Sequence, residues 1–143
     1  MFQFINVNPE NERIQDCVIR AISLALNIPY YEVVRLLSEL GDIYECEEIC
    51  MNCYRRLLDE MCIVHYKSKR ARVKDVAEDF DNCILLIRVE GHLTCSLYGR
   101  IMDIWNCEEE VVTDFWVVDF RGWKPSFLYF MVQKYSSIRQ VYW

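Results

Sequence analysis

The N-terminal part of the chain carries apolar residues at helical spacing. From Ile14 to Leu26 they recur three or four positions apart, which predicts a helix of about 12 residues after the polar segment NVNPENER. Asp16 or Gln15 can cap the start of this helix. Asn27 suits its C-terminal end, because asparagine adopts the left-handed conformation more readily than most residues.

The pattern changes from helical spacing to strands in the second half of the chain. Helices are predicted over 29–41, 46–61 and 72–80, and strands within 62–67, 83–89, 92–105, 111–120 and 127–143. The run over 83–89 is continuously apolar, which is typical of a buried strand. Helices first and strands later predict an α+β fold with an antiparallel sheet.

The segment over 92–105 has the pattern of a β-hairpin. If Tyr98 and Gly99 form a two-residue turn, Thr94 faces Asp103 across the hairpin. His92 and Asp103 then project from the same face as diagonal neighbours, about 7–8 Å apart at Cα and within reach of long side chains. A slip of one residue in the turn would separate them.

Length and charge limit the classes of function. The chain has 143 residues, so one domain over 1–143 is expected. The net charge of −6 disfavours a nucleic-acid surface, which needs clustered Lys and Arg. The basic stretch over 67–74 is then a solvated segment. No apolar run is long enough to span a bilayer, so no membrane partner is expected.

The cysteines indicate the compartment. The N-terminal segment lacks the basic region and apolar core of a signal peptide. Eight cysteines without such a signal point to a reducing, cytoplasmic location with free thiols. Most of these thiols should be small core residues.

Cys17 is the exception with a candidate chemical role. It lies in the first turn of the first predicted helix, where the macrodipole and the free N–H groups favour an anion. Thiolates are the reactive form of cysteine, and a helix N-terminus or a nearby imidazolium lowers the thiol pKa. The same N–H groups can donate to a developing oxyanion. The alternative is that Cys17 is a core residue of an amphipathic helix.

The two histidines are the candidate bases. His92 starts a predicted strand and has Asp103 available to orient its ring. Trp105 falls on the same face and could shield the His–Asp contact from water. His65 has no carboxylate in a matching position and is predicted to be structural.

These residues carry a family resemblance. The segment QDCVIRAISLAL, followed later by GHLTCSLYGRIMDIW, resembles the papain-like cysteine peptidase superfamily, in particular its small phage and bacterial members near the bacteriocin-leader-processing peptidases. In that superfamily the Cys opens a long helix, the His starts a strand, and an Asn or Asp follows on the next strand. The resemblance covers residues 11–105 and implies Cys17 as nucleophile, His92 as general base and acid, and Asp103 as orienting residue. Trp105 resembles the aromatic residue two positions after the Asn in papain.

The resemblance also directs attention to an oxyanion hole. The superfamily often has a Gln about six residues before the Cys; here that position is Asn11, and Gln15 lies two residues before Cys17. Either amide could donate. The Gly that often follows the Cys is replaced by Val18. The implied function is a thiol-dependent hydrolase of peptide or isopeptide bonds with no cofactor or metal, acting on a protein or peptide substrate. Amide transfer would use the same groups.

Other patterns leave alternatives open. Cys46, Cys50 and Cys53 could bind zinc with Cys62 or His65, although one face of a buried helix explains them as well. The C-terminal third is rich in aromatic residues, which are either sheet core or an exposed patch. The second hypothesis for function is therefore a catalytically inactive papain-like binding protein, phage or bacterial, that engages a host protein through this aromatic surface.

Overall fold

A computed structural model describes residues 1–47, 50–68, 70–121 and 140–141 of the chain. Within them, four helices and seven strands form an α+β fold. The helices are α1 (Cys17–Leu26), α2 (Tyr30–Tyr44), α3 (Met51–Met61) and α4 (Val73–Asp79). The strands are β1 (Phe2–Phe4), β2 (Val64–Lys67), β3 (Cys83–Val89), β4 (His92–Leu97), β5 (Arg100–Asp103), β6 (Val112–Phe120) and β7 (Gln140–Val141).

The strands of the described residues form one mixed sheet in the order β1-β5-β4-β3-β6-β2-β7. All described pairings are antiparallel except that of β1 with β5, which is parallel. The prediction of an antiparallel sheet is therefore wrong at this edge. The reason is that β1 is only three residues long, too short to produce a recognisable pattern, and precedes the helices.

Both faces of the sheet are covered. Leu85 and Ile87 of β3 face a core shared with α4, whereas Leu86 between them faces a core shared with α1, α2 and α3. The predicted buried strand over 83–89 is confirmed, and its continuous apolar run follows from burial on both faces. Helices α1, α2 and α3 pack together on one face of the sheet, whereas α4 packs on the opposite face.

Helix α1 packs against β4 next to the middle of the sheet. Ile22 is fully buried in the core that also contains Leu93 and Cys95 of β4. Complete burial of an Ile side chain stabilises the fold by roughly 1.5–3 kcal/mol. This packing fixes the start of α1 beside the start of β4. The helix ends where predicted, at Asn27, whose φ of 54° is left-handed.

Helix α1 has 10 residues and begins at Cys17. Asp16, one of the two predicted capping residues, is the N-cap residue but makes no capping side-chain bond. The predicted end of the second helix is wrong. Helix α2 continues past Gly41 to Tyr44, because the left-handed residue that ends it is Glu45. A glycine inside a helix costs only about 1 kcal/mol, which packing can offset.

The third helix is shorter than predicted. Helix α3 begins at Met51, so Cys46 and Cys50 precede it and do not share its face with Cys53. Cys53 is fully buried, as predicted for a core thiol.

The hairpin has the predicted register. Leu97 pairs with Arg100, and Tyr98 and Gly99 form the turn with φ values of 51° and 87°. Positive φ at both positions is the signature of a type I′ turn, whose twist matches that of the flanking strands.

Within the described residues, no single helix has the length and apolar character to cross a membrane; α1 and α2 reach that threshold only as a pair bent by 114°. The predicted strands over 127–143 and most of the aromatic segment lie outside the described residues, apart from β7.

Candidate active site

The Cys17 side chain lines a cavity. Cys17 is the first residue of α1 and is partly exposed. The cavity has a volume of about 480 Å³, and its wall includes Cys17, His92 and Trp105. A thiol in this position is accessible to a small molecule and lies at the positive end of a helix dipole.

His92 and Asp103 are in direct contact. The Nε2 atom of His92 lies 2.6 Å from Oδ2 of Asp103. The two residues come from β4 and β5, so the predicted hairpin register brings them together. Asp103 is 2% exposed, and its Oδ1 accepts bonds from the backbone N–H groups of Ile104 and Trp105. Because these bonds hold the carboxylate, it can fix the orientation of the His92 ring.

Electrostatics favour a thiolate beside an imidazolium. Burial raises the pKa of the Cys17 thiol, but a hydrogen bond with His92, another with the Leu93 N–H, and the charge of His92 bring it below its ordinary value. Burial lowers the pKa of His92, but its hydrogen bond with Asp103 raises it more strongly. Contacts with Cys107 and Cys17 act in the same direction, and the pKa of His92 is about 11. The proton therefore resides on His92 at neutral pH.

Asp103 remains ionised under all ordinary conditions. Burial raises the pKa of its carboxyl, but the hydrogen bonds from His92 and Arg20 lower it to about 2. A permanent negative charge at this position stabilises the imidazolium form of His92.

Sequence reasoning missed the arginine behind the site. Arg20 lies one turn after Cys17 in α1, is 5% exposed, and donates to two carboxylates. Its Nε lies 2.6 Å from Oδ1 of Asp16, and its Nη1 lies 3.0 Å from Oδ1 of Asp103. This ion pair joins the helix that carries the thiol to the strand that carries the orienting carboxylate. The i,i+4 spacing of Asp16 and Arg20 is a sequence signal for their contact.

Asp16 anchors the network on its other side. Its Oδ2 accepts a bond of 2.7 Å from the Tyr30 hydroxyl and one of 3.0 Å from Nδ2 of Asn8. Asn8 is 7% exposed. Neither contact follows from the sequence, because both join loops and helices that are distant in the chain.

Trp105 also lines the cavity. Its ring meets the His92 ring edge-on, with centroids 4.9 Å apart and an interplanar angle of 80°. The side chain is 43% exposed. Trp105 therefore covers one side of the imidazole and still faces solvent.

The two candidate oxyanion amides have different positions. Gln15 lines the cavity. Asn11 is exposed, has a φ of 53° and does not contribute to the cavity wall. The geometry supports Gln15 and offers nothing for Asn11. The second donor available is the Cys17 N–H, since the first N–H groups of a helix have no intrahelical acceptor.

The prediction that His65 lacks a carboxylate is wrong. Its Nε2 lies 2.7 Å from Oδ2 of Asp114, and its Nδ1 lies 3.1 Å from Oδ1 of Asp59. The ring stacks on Trp116 at 4.1 Å between centroids. Asp114 reaches His65 because β2 pairs with β6. The two residues are 49 positions apart in the chain, so no local pattern in the sequence indicated this contact. His65 does not line the cavity.

One group among the described residues has metal-ligand spacing, and it is not the predicted one. His92, Asp103 and Cys107 offer ligand atoms within 4.8 Å of one another, whereas Cys46, Cys50 and Cys53 form no such group there. His92 already hydrogen-bonds with both Asp103 and Cys107, which accounts for the short spacing of the three residues.

Comparisons of the chain with protein-family models, with curated proteins and with solved structures found no match.

Proposed function

We propose that the protein is a thiol-dependent hydrolase that cleaves peptide or isopeptide bonds through Cys17, His92 and Asp103. The observation that carries this proposal is the chain of contacts from Asp103 through His92 to a thiol that opens into a cavity. A core cysteine needs neither a buried ion pair behind it nor an opening in front of it.

The reaction follows from these positions. The Cys17 thiolate attacks the carbonyl carbon of the bond to be cleaved, and the carbonyl oxygen takes up the negative charge. The N–H of Cys17 and the amide of Gln15 donate to that oxygen. His92 then gives its proton to the leaving nitrogen, the C–N bond breaks, and a thioester remains on Cys17. Water, deprotonated by His92, hydrolyses the thioester and releases the carboxylic acid and the free thiol.

The relative positions of the three groups support the proposed papain-like relationship. The thiol begins the first helix, the imidazole begins a strand, and the carboxylate lies on the next strand of the same hairpin. Nε2 of His92 is engaged by Asp103, and both Cys17 and Cys107 hydrogen-bond with the ring. Of these two thiols, Cys17 is the one that lines the cavity. Arg20 adds a feature that the resemblance did not supply.

Competitive alkylation tests the proposal. Cys50 is a matched control, because it is also partly exposed and is the N-cap residue of α3. With limiting iodoacetamide at pH 6, we expect Cys17 to react at least about tenfold faster than Cys50, since of these two thiols Cys17 is the one with an imidazolium partner. Mass-spectrometric peptide mapping measures both rates. In His92→Ala, Cys17 should no longer be alkylated faster than Cys50.

A peptide pool then tests the bond cleaved. New termini should form with the wild-type protein and not with Cys17→Ala. Equal alkylation of Cys17 and Cys50 would remove the basis for a nucleophile and refute the proposal.

A further inference from the structure

The cavity beside Cys17 has a one-sided charge distribution. Its described wall contains two arginines and no aspartate, glutamate or lysine, in a chain with a net charge of −6. Arg20 is neutralised by Asp16 and Asp103. The His92 imidazolium is paired with Asp103 and with the Cys17 thiol group. Arg88 is thus the cationic group that the cavity offers to a ligand.

Arg88 is held in place from behind. It lies on β3 with a side chain that is 29% exposed, and its Nε lies 2.6 Å from Oδ1 of Asp114. Asp114 is 1% exposed and is shared with His65 and with the Thr113 hydroxyl. The two Nη atoms of Arg88 make no hydrogen bond with any residue that the structure describes. A guanidinium carries five N–H donors in a rigid fork, so most of them remain for a ligand.

Tyr54 adds a second donor on the same wall. It lies in α3, is 4% exposed and lines the cavity, and its hydroxyl has no hydrogen-bond partner in the described part of the chain. Burial raises the pKa of Tyr54, so the hydroxyl keeps its proton at neutral pH. Tyr54, Arg88 and Cys17 all line this one cavity. The hydroxyl is a hydrogen-bond donor and lines the cavity, so it can donate to a ligand bound there.

We propose that Arg88 and Tyr54 form a carboxylate-binding subsite, so that the preferred peptide substrate carries an acidic side chain or a free terminal carboxylate near the bond that Cys17 attacks. A carboxylate accepts two parallel bonds from a guanidinium and further bonds on its remaining lone pairs. The rest of the wall, which includes Met51 and Leu93, is apolar and suits the aliphatic part of the ligand. This inference rests on the proposed function.

Matched pairs of peptides test the subsite and separate the two sources of the carboxylate. The first pair consists of peptidyl vinyl sulfones with Glu or Gln, which alkylate Cys17 by addition and need no turnover. The second pair consists of peptides that end in a free carboxylate or an amide, followed by hydrolysis. We expect a preference of about 10–100-fold for the acidic member of at least one pair, as for loss of a hydrogen bond to a charged group.

Variants assign the preference to the subsite. Arg88→Met should abolish it, Arg88→Lys should retain part of it, and Tyr54→Phe should reduce it about threefold to tenfold. Arg35→Met is the control, because Arg35 is exposed on α2 and pairs there with Glu32 and Glu39. It should leave the preference unchanged.

The outcomes distinguish the two proposals. Reaction of wild-type Cys17 without preference in either pair overturns the subsite and leaves the hydrolase standing. A preference that is as large as in wild type both in Tyr54→Phe and in whichever Arg88 variant folds also overturns it. A Cys17 that reacts with neither vinyl sulfone refutes the proposed function, and the subsite with it.

Discussion

Replacing Arg20 with methionine would leave two buried carboxylates without the cation between them. Asp16 and Asp103 are 1% and 2% exposed, and Arg20 donates to them at 2.6 and 3.0 Å. Each hydrogen bond to a charged group contributes about 1.5–3 kcal/mol, and removing one partner of a buried ion pair costs about 3–5 kcal/mol. We therefore expect the free energy of unfolding of Arg20→Met at pH 7 to fall by about 3–5 kcal/mol, measured by urea denaturation.

Arg35→Met is the matched control. Arg35 also pairs with two carboxylates one helical turn away, but its side chain is 53% exposed. Surface pairs of this kind contribute little to stability, so the urea midpoint should not change measurably.

The pH dependence provides a second readout. The pKa of Asp103 is about 2 in the folded protein, against 3.8 ordinarily, so its stabilising contribution is complete above pH 4 and is lost as the pH falls towards 2. In Arg20→Met, the pKa of Asp103 in the folded protein should lie closer to 3.8, because one of the groups that lower it is missing. The difference in unfolding free energy between wild type and Arg20→Met should therefore narrow between pH 4 and pH 2. A loss at pH 7 no larger than that of Arg35→Met, or a difference independent of pH, would refute this reasoning.

Three further predictions concern the thiol, the base and the hairpin. The alkylation rates of Cys17 in wild type and in His92→Ala should differ most at acidic pH and converge above about pH 9, where an unassisted thiol ionises; a ratio that does not vary with pH would contradict the ion pair. In Asp103→Asn the pKa of His92, followed by NMR, should fall clearly below about 11 because the carboxylate charge is gone, and an unchanged value would contradict its assigned cause. Gly99→Ala should lower the free energy of unfolding by about 1–3 kcal/mol and Gly91→Ala by less, because only at Gly99 does an added Cβ meet another side chain, at 3.2 Å, besides the strain of a positive φ; equal losses would contradict the contact.

The parts of the site that lie within one local motif were predictable from the sequence. The contact between His92 and Asp103 depends on a two-residue turn and on the alternation of strand side chains, both of which the sequence displays. Cys17 at the start of α1 follows from helical spacing alone.

The parts that join distant segments were not predictable. Arg20 meets Asp103 only because α1 packs on the hairpin, and His65 meets Asp114 only because β2 pairs with β6. Arg88 lies in an apolar run where a single charge gave no sign of facing a cavity. The edge strand β1 escaped detection because three residues carry too little pattern.

The His92–Asp103 pair and the contact between Cys17 and His92 depend on different folding events. His92 and Asp103 are brought together by a turn of short sequence separation, whereas Cys17 reaches His92 only when α1 docks on β4. Contacts of short separation form readily in folding chains, and those of long separation cost more loop entropy. Until α1 docks, Cys17 has the modest reactivity of an ordinary thiol. The thiolate–imidazolium pair of the proposed site is therefore produced only by completion of the fold and is absent from partly folded forms.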